Sequence, residues 1–95
     1  MKYMFVVPAL TTPTFDTIKE TVSKSFAKVE SILQKLNHLN VTIRISVEKS
    51  GPLFEVKVEV IDFPKENPFI KVSDRNLRKA INTAAHKLKL SILNS

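Results

Sequence analysis

Most of the chemically capable side chains in this chain are cations, and they are not scattered. From Asp74 to about Leu93, Leu77, Ala80, Ile81, Ala84, Leu88 and Ile92 recur at helical spacing, while Arg75, Arg78, Lys79, Asn82, His86 and Lys89 share an arc well away from them. Residues 74–95 hold five Lys and Arg against one acid, so this helix carries most of the chain's excess charge. Guanidinium and ammonium groups held along one helix face suit a row of phosphates, which supplies affinity and little sequence information. His86 lies on the same arc and is a candidate phosphate contact. An earlier helical run adds Lys24, Lys28 and Lys35, which point opposite Phe26 and Leu33.

No other grouping has the makings of chemistry. Glu55 and Glu59 share one strand face, a placement open to acid–base work, but they alternate with Lys57 and Arg44 as an exposed checkerboard of charge does. His38 and His86 are far apart in sequence, and the absence of cysteine removes thiol nucleophiles, disulfides and Cys-ligated metals. There is no glycine-rich phosphate loop and no Ser/His/Asp grouping. The expectation is a protein without catalytic residues, metal, cofactor or small-molecule substrate.

Composition agrees. Ninety-five residues at 43% hydrophobic and 25% charged make a single ordinary domain spanning 1–95, with one core. Fifteen Lys and Arg against nine Asp and Glu give a net charge of +6 and a pI near 9.8. Such a balance favours an anionic partner, nucleic acid before a membrane surface. Tyr3–Leu10, the longest uncharged apolar run, is far short of the ~20 residues of a membrane span. Lys2 with that run faintly imitates a secretory signal, but Pro8 and its shortness make it a buried first strand in a cytoplasmic protein.

The elements that would position the cations follow from changes of period. Tyr3–Val7 reads as a strand, closed by Pro8 and the Thr11-Thr12-Pro13 turn, with Thr12 or Thr14 as a helix cap. Phe15, Ile18, Val22, Phe26, Val29, Ile32, Leu33 and Leu36 then predict one helix of some six turns, stopped at Asn37. Val41, Ile43, Ile45 and Val47 alternate with polar residues, as do Phe54, Val56, Val58 and Val60. A four-residue loop, Lys49-Ser50-Gly51-Pro52, would set Val47 opposite Phe54, Ile45 opposite Val56 and Arg44 opposite Lys57, with all eight apolar residues buried. Phe69–Ser73 is a further strand with Ile70 and Val72 inward. The expected fold is α+β, a β-α-β-β-β-α domain whose four-stranded sheet has two helices packed on one face.

Three stretches carry a family resemblance: Phe26-Ala27-Lys28-Val29-Glu30, Val41–Lys49 ending Ser46-Val47-Glu48-Lys49, and Ala80-Ile81-Asn82 running on to His86-Lys87-Leu88. In order and spacing the chain resembles the ribosome hibernation-promoting factors, or ribosome-associated inhibitors, whose stretches read like F-A-K-L-E, V-x-V-E-K and A-I-D-x-A-x-D-K-L. The resemblance covers roughly residues 15–92, in a chain of the short form's length. It implies a non-enzymatic factor that enters the small ribosomal subunit near the decoding centre, occupies the tRNA and mRNA channel and holds idle ribosomes inactive. Short forms of that family often favour ribosome dimers. Lys19, Lys28, Lys49 and Lys87 match basic positions of the pattern. With Lys24, Arg75, Arg78, Lys79, His86 and Lys89 from the charge map, they form the expected rRNA-binding set. The chain departs from the pattern at Asn76 and Arg78, in its first strand, and in ending Leu90-Ser91-Ile92-Leu93-Asn94-Ser95 where a basic tail is expected. Leu90 and Leu93 are candidates for an apolar contact with a ribosomal protein or a second copy.

Two other readings remain. Ser50-Gly51-Pro52, the strand after it and Ala80–Leu88 are similar to a double-stranded-RNA-binding domain, without that family's histidine after Gly-Pro or its glycine pair. Alternatively, the uncovered sheet face, with Ile61 and Phe69, would serve a protein-interaction module.

Overall fold

The computed structural model describes residues 1–7, 12–64 and 66–94, and for residues 12–14 the backbone alone. The two alternating stretches form β2 (Thr42–Ser50) and β3 (Leu53–Ile61), flanked by β1 (Lys2–Val6) and β4 (Phe69–Asp74) in one sheet of order β1-β2-β3-β4. β1 runs parallel to β2, and the other neighbours are antiparallel. The helices are α1 (Thr12–Ser25), α2 (Ala27–Lys35) and α3 (Leu77–Leu93). The α+β sheet is as expected, but the order is β-α-α-β-β-β-α. The turn at Pro8 and Thr11 lies outside the described residues, but α1 already includes Thr12 and Thr14, so neither stands before the helix as the expected cap.

The expected six-turn helix is divided at Phe26, whose backbone leaves helical geometry at φ −93, ψ 4. Its N–H still bonds the Val22 carbonyl and its carbonyl still accepts from Glu30, both at 2.9 Å. Ile18, Val22, Phe26, Val29 and Leu33 therefore stay on one buried face across the bend, and their period carries no trace of it. Asn37 does stop α2: it takes φ 59, its N–H bonds Gln34 and that of His38 bonds Leu33. These two bonds make a Schellman motif, the αL ending that asparagine tolerates. Leu36, expected in the core, lies beyond the last turn and is exposed.

The hairpin register differs from the expected one by two residues. Ser50 pairs with Leu53, Val47 with Val56, Ile45 with Val58 and Ile43 with Val60, so the loop is Gly51-Pro52 alone. Gly51 has φ 58, as the first position of a two-residue type II′ turn requires. The shift also replaces an Arg44–Lys57 pairing, like charges face to face, by Arg44 opposite Glu59, but it sets Glu48 opposite Glu55. A two-residue slip preserves which face each side chain takes, so the apolar set stays inward. Phe54 keeps the inner face but not the depth. It moves opposite Lys49 and is only half-buried, with the Lys49 ammonium 5.5 Å from its ring centroid.

α3 begins later than expected. Asp74 ends β4 and accepts the Asn76 N–H, and Asn76 caps the helix by accepting from the Lys79 N–H at 3.0 Å. Arg75 thus sits in the turn before α3 and not on its arc. Ala80, Ile81, Ala84, Ala85, Leu88 and Ile92 close the core against both other helices and the inner sheet face.

Tyr3 ties β1 to α2 by donating its hydroxyl to Glu30 Oε1 at 2.6 Å. Burial, then the Glu30 hydrogen bond, then its charge, push the phenol far above its ordinary 10.0. The folded chain therefore keeps this proton while the unfolded chain releases it near pH ~10, so the contribution is present below that pH and declines above it. The chain has one Tyr and no Trp, so near-ultraviolet tyrosinate absorbance reports this group alone. It is expected to rise only as the protein unfolds, and Tyr3→Phe should flatten the loss of stability in alkali. An ordinary titration curve in the folded protein would contradict this.

Candidate nucleic-acid interface

α1 and α2 run alongside α3 and leave three consecutive hollows between them. Lys24 and Ser25 face Arg78 and Asn82 around about 200 Å³. Ser25 and Lys28 face Asn82, His86 and Lys89 around about 140 Å³. Lys28, Ile32, Lys35 and Leu36 face Lys89 and Leu93 around about 410 Å³. Because neighbouring hollows share Ser25 with Asn82, then Lys28 with Lys89, they form one groove. The Ser25 hydroxyl is hydrogen-bonded to Asn82 Oδ1 across it and pins α1 to α3.

The groove is strongly basic. Lys24, Lys28, Lys35, Arg78 and Lys89 line it, and among the described residues Glu20 is the one acid that does. Glu20 meets Lys24 at 3.3 Å, but both are well exposed, and such a pair is worth little and exchanges readily with water. Glu30, the nearby acid of α2, is occupied by Tyr3. Cations on two walls of a concave surface focus positive potential between them, which suits a polyanion.

The uncovered sheet face is of mixed charge. Met4, Arg44, Glu59 and Phe69 form one row across it, and Glu55 is held by Lys57 at 3.3 Å and Lys71 at 3.7 Å. Phe69 is 56% exposed, whereas Ile61 is half-buried.

Two solved structures share this architecture. The Thermus thermophilus Protein Y N-terminal domain superposes with a TM-score of 0.69 at 19% identity, covering 96% of this chain and 91% of that one. A ribosomal subunit interface protein from Coxiella burnetii gives 0.72 at 14% identity, covering 99% and 96%. The chain has the fold of these proteins. It is the fold that the sequence resemblance implies. No family model and no curated protein matches the sequence.

The shared fold gathers part of the expected set. Lys24, Lys28, Arg78, His86 and Lys89 line the groove. Lys79 is exposed on α3 beside it, Lys87 is exposed on a different face of α3, and Arg75 is exposed at the turn before α3. Besides Lys87, two are not brought in: Lys19 lies over the Phe15 ring at 5.3 Å, and Lys49 is at the hairpin end of β2. Lys35 was in the outward lysine set but not in the expected site, and it lines the wide end. Nothing local marks Ser25 in the sequence, since its partner Asn82 is 57 positions away. His38 packs edge-on against Phe63 at 5.1 Å. Among the described residues no group of three or more His, Cys, Asp or Glu is placed to hold a metal.

Proposed function

We propose that this protein is a non-enzymatic, cytoplasmic ribosome-associated factor that binds small-subunit rRNA in the tRNA and mRNA channel and inhibits translation in idle ribosomes. The observation that carries this reading is the continuous basic groove between α1–α2 and α3, on a fold shared with ribosomal subunit interface proteins. Lys24, Lys28, Arg78, His86 and Lys89 contact phosphates from the groove, with Lys79 and Arg75 beside them and Lys87 on a separate face of α3. Lys19 and Lys49 lie outside the groove and contribute far less. No described helix is long and apolar enough to cross a membrane.

Sedimentation with purified ribosomal subunits tests the proposal. The protein is expected to travel with the small subunit. With about five phosphates neutralised, log affinity should fall against log salt with a slope of roughly −3.5 to −4.5, the single-strand and duplex limits. Intact small subunits should bind it more tightly than isolated rRNA duplexes do, since they offer a shaped channel and protein surfaces. Equal affinity for any duplex of similar length would favour a double-stranded-RNA-binding module. A flat salt dependence would reject the electrostatic reading altogether.

A further inference from the structure

The wide end of the groove differs in chemistry from the rest. Arg78, Asn82 and His86 line the narrower stretches, but the hollow of about 410 Å³ between the ends of α2 and α3 has Ile32, Leu36 and Leu93 on its walls, among Lys28, Lys35 and Lys89. Leu36 and Leu93 are 46% and 56% exposed, so neither is spent on the core. Lysine stems extend such apolar walls while their ammonium groups stay in water. Contiguous aliphatic surface rimmed by one sign of charge marks an interaction site.

Nucleic acid makes poor use of this place. Bases stack on aromatic rings or guanidinium planes, and this hollow offers neither. Phosphates would take the lysines and leave the leucines in water. A polypeptide with carboxylates around one large apolar side chain uses both features, with a buried anchor at the centre and charges on the rim. We propose that this hollow docks an acidic protein segment that seats a leucine or phenylalanine on Ile32, Leu36 and Leu93 while its carboxylates meet Lys28, Lys35 and Lys89. The inference is argued from the hollow and not from the ribosomal reading, but the two share Lys28 and Lys89, so such a segment and RNA would compete for these lysines.

The test uses the full chain and a fluorescein-labelled synthetic peptide, Glu-Glu-Leu-Phe-Glu-Glu-Leu, titrated by anisotropy. Saturable binding is expected, weakened at least about tenfold when the peptide's leucines and phenylalanine become alanine. Leu36→Ser with Leu93→Ser, at exposed positions and without change of charge, should cost a similar factor. The same variant should bind an oligouridylate within about twofold of the parent, with circular dichroism verifying the fold. Three results would overturn the proposal: no saturable binding of the peptide, equal binding of the alanine peptide, or an equal loss of oligouridylate binding in the serine variant. The last would make the hollow a nucleic-acid contact.

Discussion

Replacing Arg78 and Lys79 by glutamate is expected to lower affinity for small-subunit RNA more than about a hundredfold at ~0.1 M salt, with the fold intact. On a slope of about −0.9 per phosphate, each contact is worth roughly eightfold at that salt, so two give about sixtyfold before any repulsion is counted. Reversing the charge adds that repulsion. Folding is spared for identifiable reasons. Both side chains are exposed, and the Asn76 cap uses the backbone N–H of Lys79, not its side chain. The first turn of α3 holds no acid, so new carboxylates beside the positive helix end are favourable by about 0.3–1 kcal/mol each. The double variant should therefore melt no earlier than the parent while failing to sediment with subunits. Lys49→Glu, at the hairpin end and outside the groove, is the control and should lose far less. If both variants bind equally, the groove is not the interface.

The cations themselves were legible in the sequence because a helix face is a periodic object. Arg78, Lys79, Asn82, His86 and Lys89 needed only the apolar period of α3 to be placed together. The groove was not legible, because it exists only where α3 lies beside α1 and α2. The Ser25–Asn82 contact joins residues 57 positions apart, and nothing local to either announces the other. Lys35 shows the same limit. Its outward direction followed from the wheel, but its place at the groove's wide end depends on how α2 and α3 pack.

The fold shows where pattern is blind. Burial alternates with period two, so a hairpin slipped by two residues buries the same set, and the apolar pattern alone could not separate the two registers. The charges do not separate them either: the observed register sets Arg44 opposite Glu59 but also Glu48 opposite Glu55. The turn does: Gly51-Pro52 is itself a sufficient two-residue loop, with Gly51 taking the positive φ it requires. The bend at Phe26 was hidden for a related reason. Hydrogen bonds continue on both sides of it, so the buried face continues as well. At Asn76 the cap was a local signal: a side-chain acceptor three residues before a free N–H.

The register makes one more expectation, and it runs against side-chain size. Ile45 is fully buried in the middle of β2, between Phe5 of β1 and Val58 of β3. Ile45→Ala leaves a cavity that strands held on both sides cannot collapse into, which should cost about 2–4 kcal/mol. Against a total of ~5–15 kcal/mol for a domain of this kind, that is a large share. The melting temperature should drop by roughly 10–30 °C. Phe54 is larger, and in the register expected from a four-residue loop it would face Val47 in the core and be at least as costly to remove. Here it lies opposite Lys49 near the strand end, half-buried, with an ammonium over its ring. Phe54→Ala should therefore cost only about 1–2 kcal/mol, the partial burial of one ring and a weak cation–π contact. Urea unfolding of the two variants reads the difference directly. A Phe54→Ala loss equal to or above that of Ile45→Ala would place Phe54 in the core and return the hairpin to the longer loop.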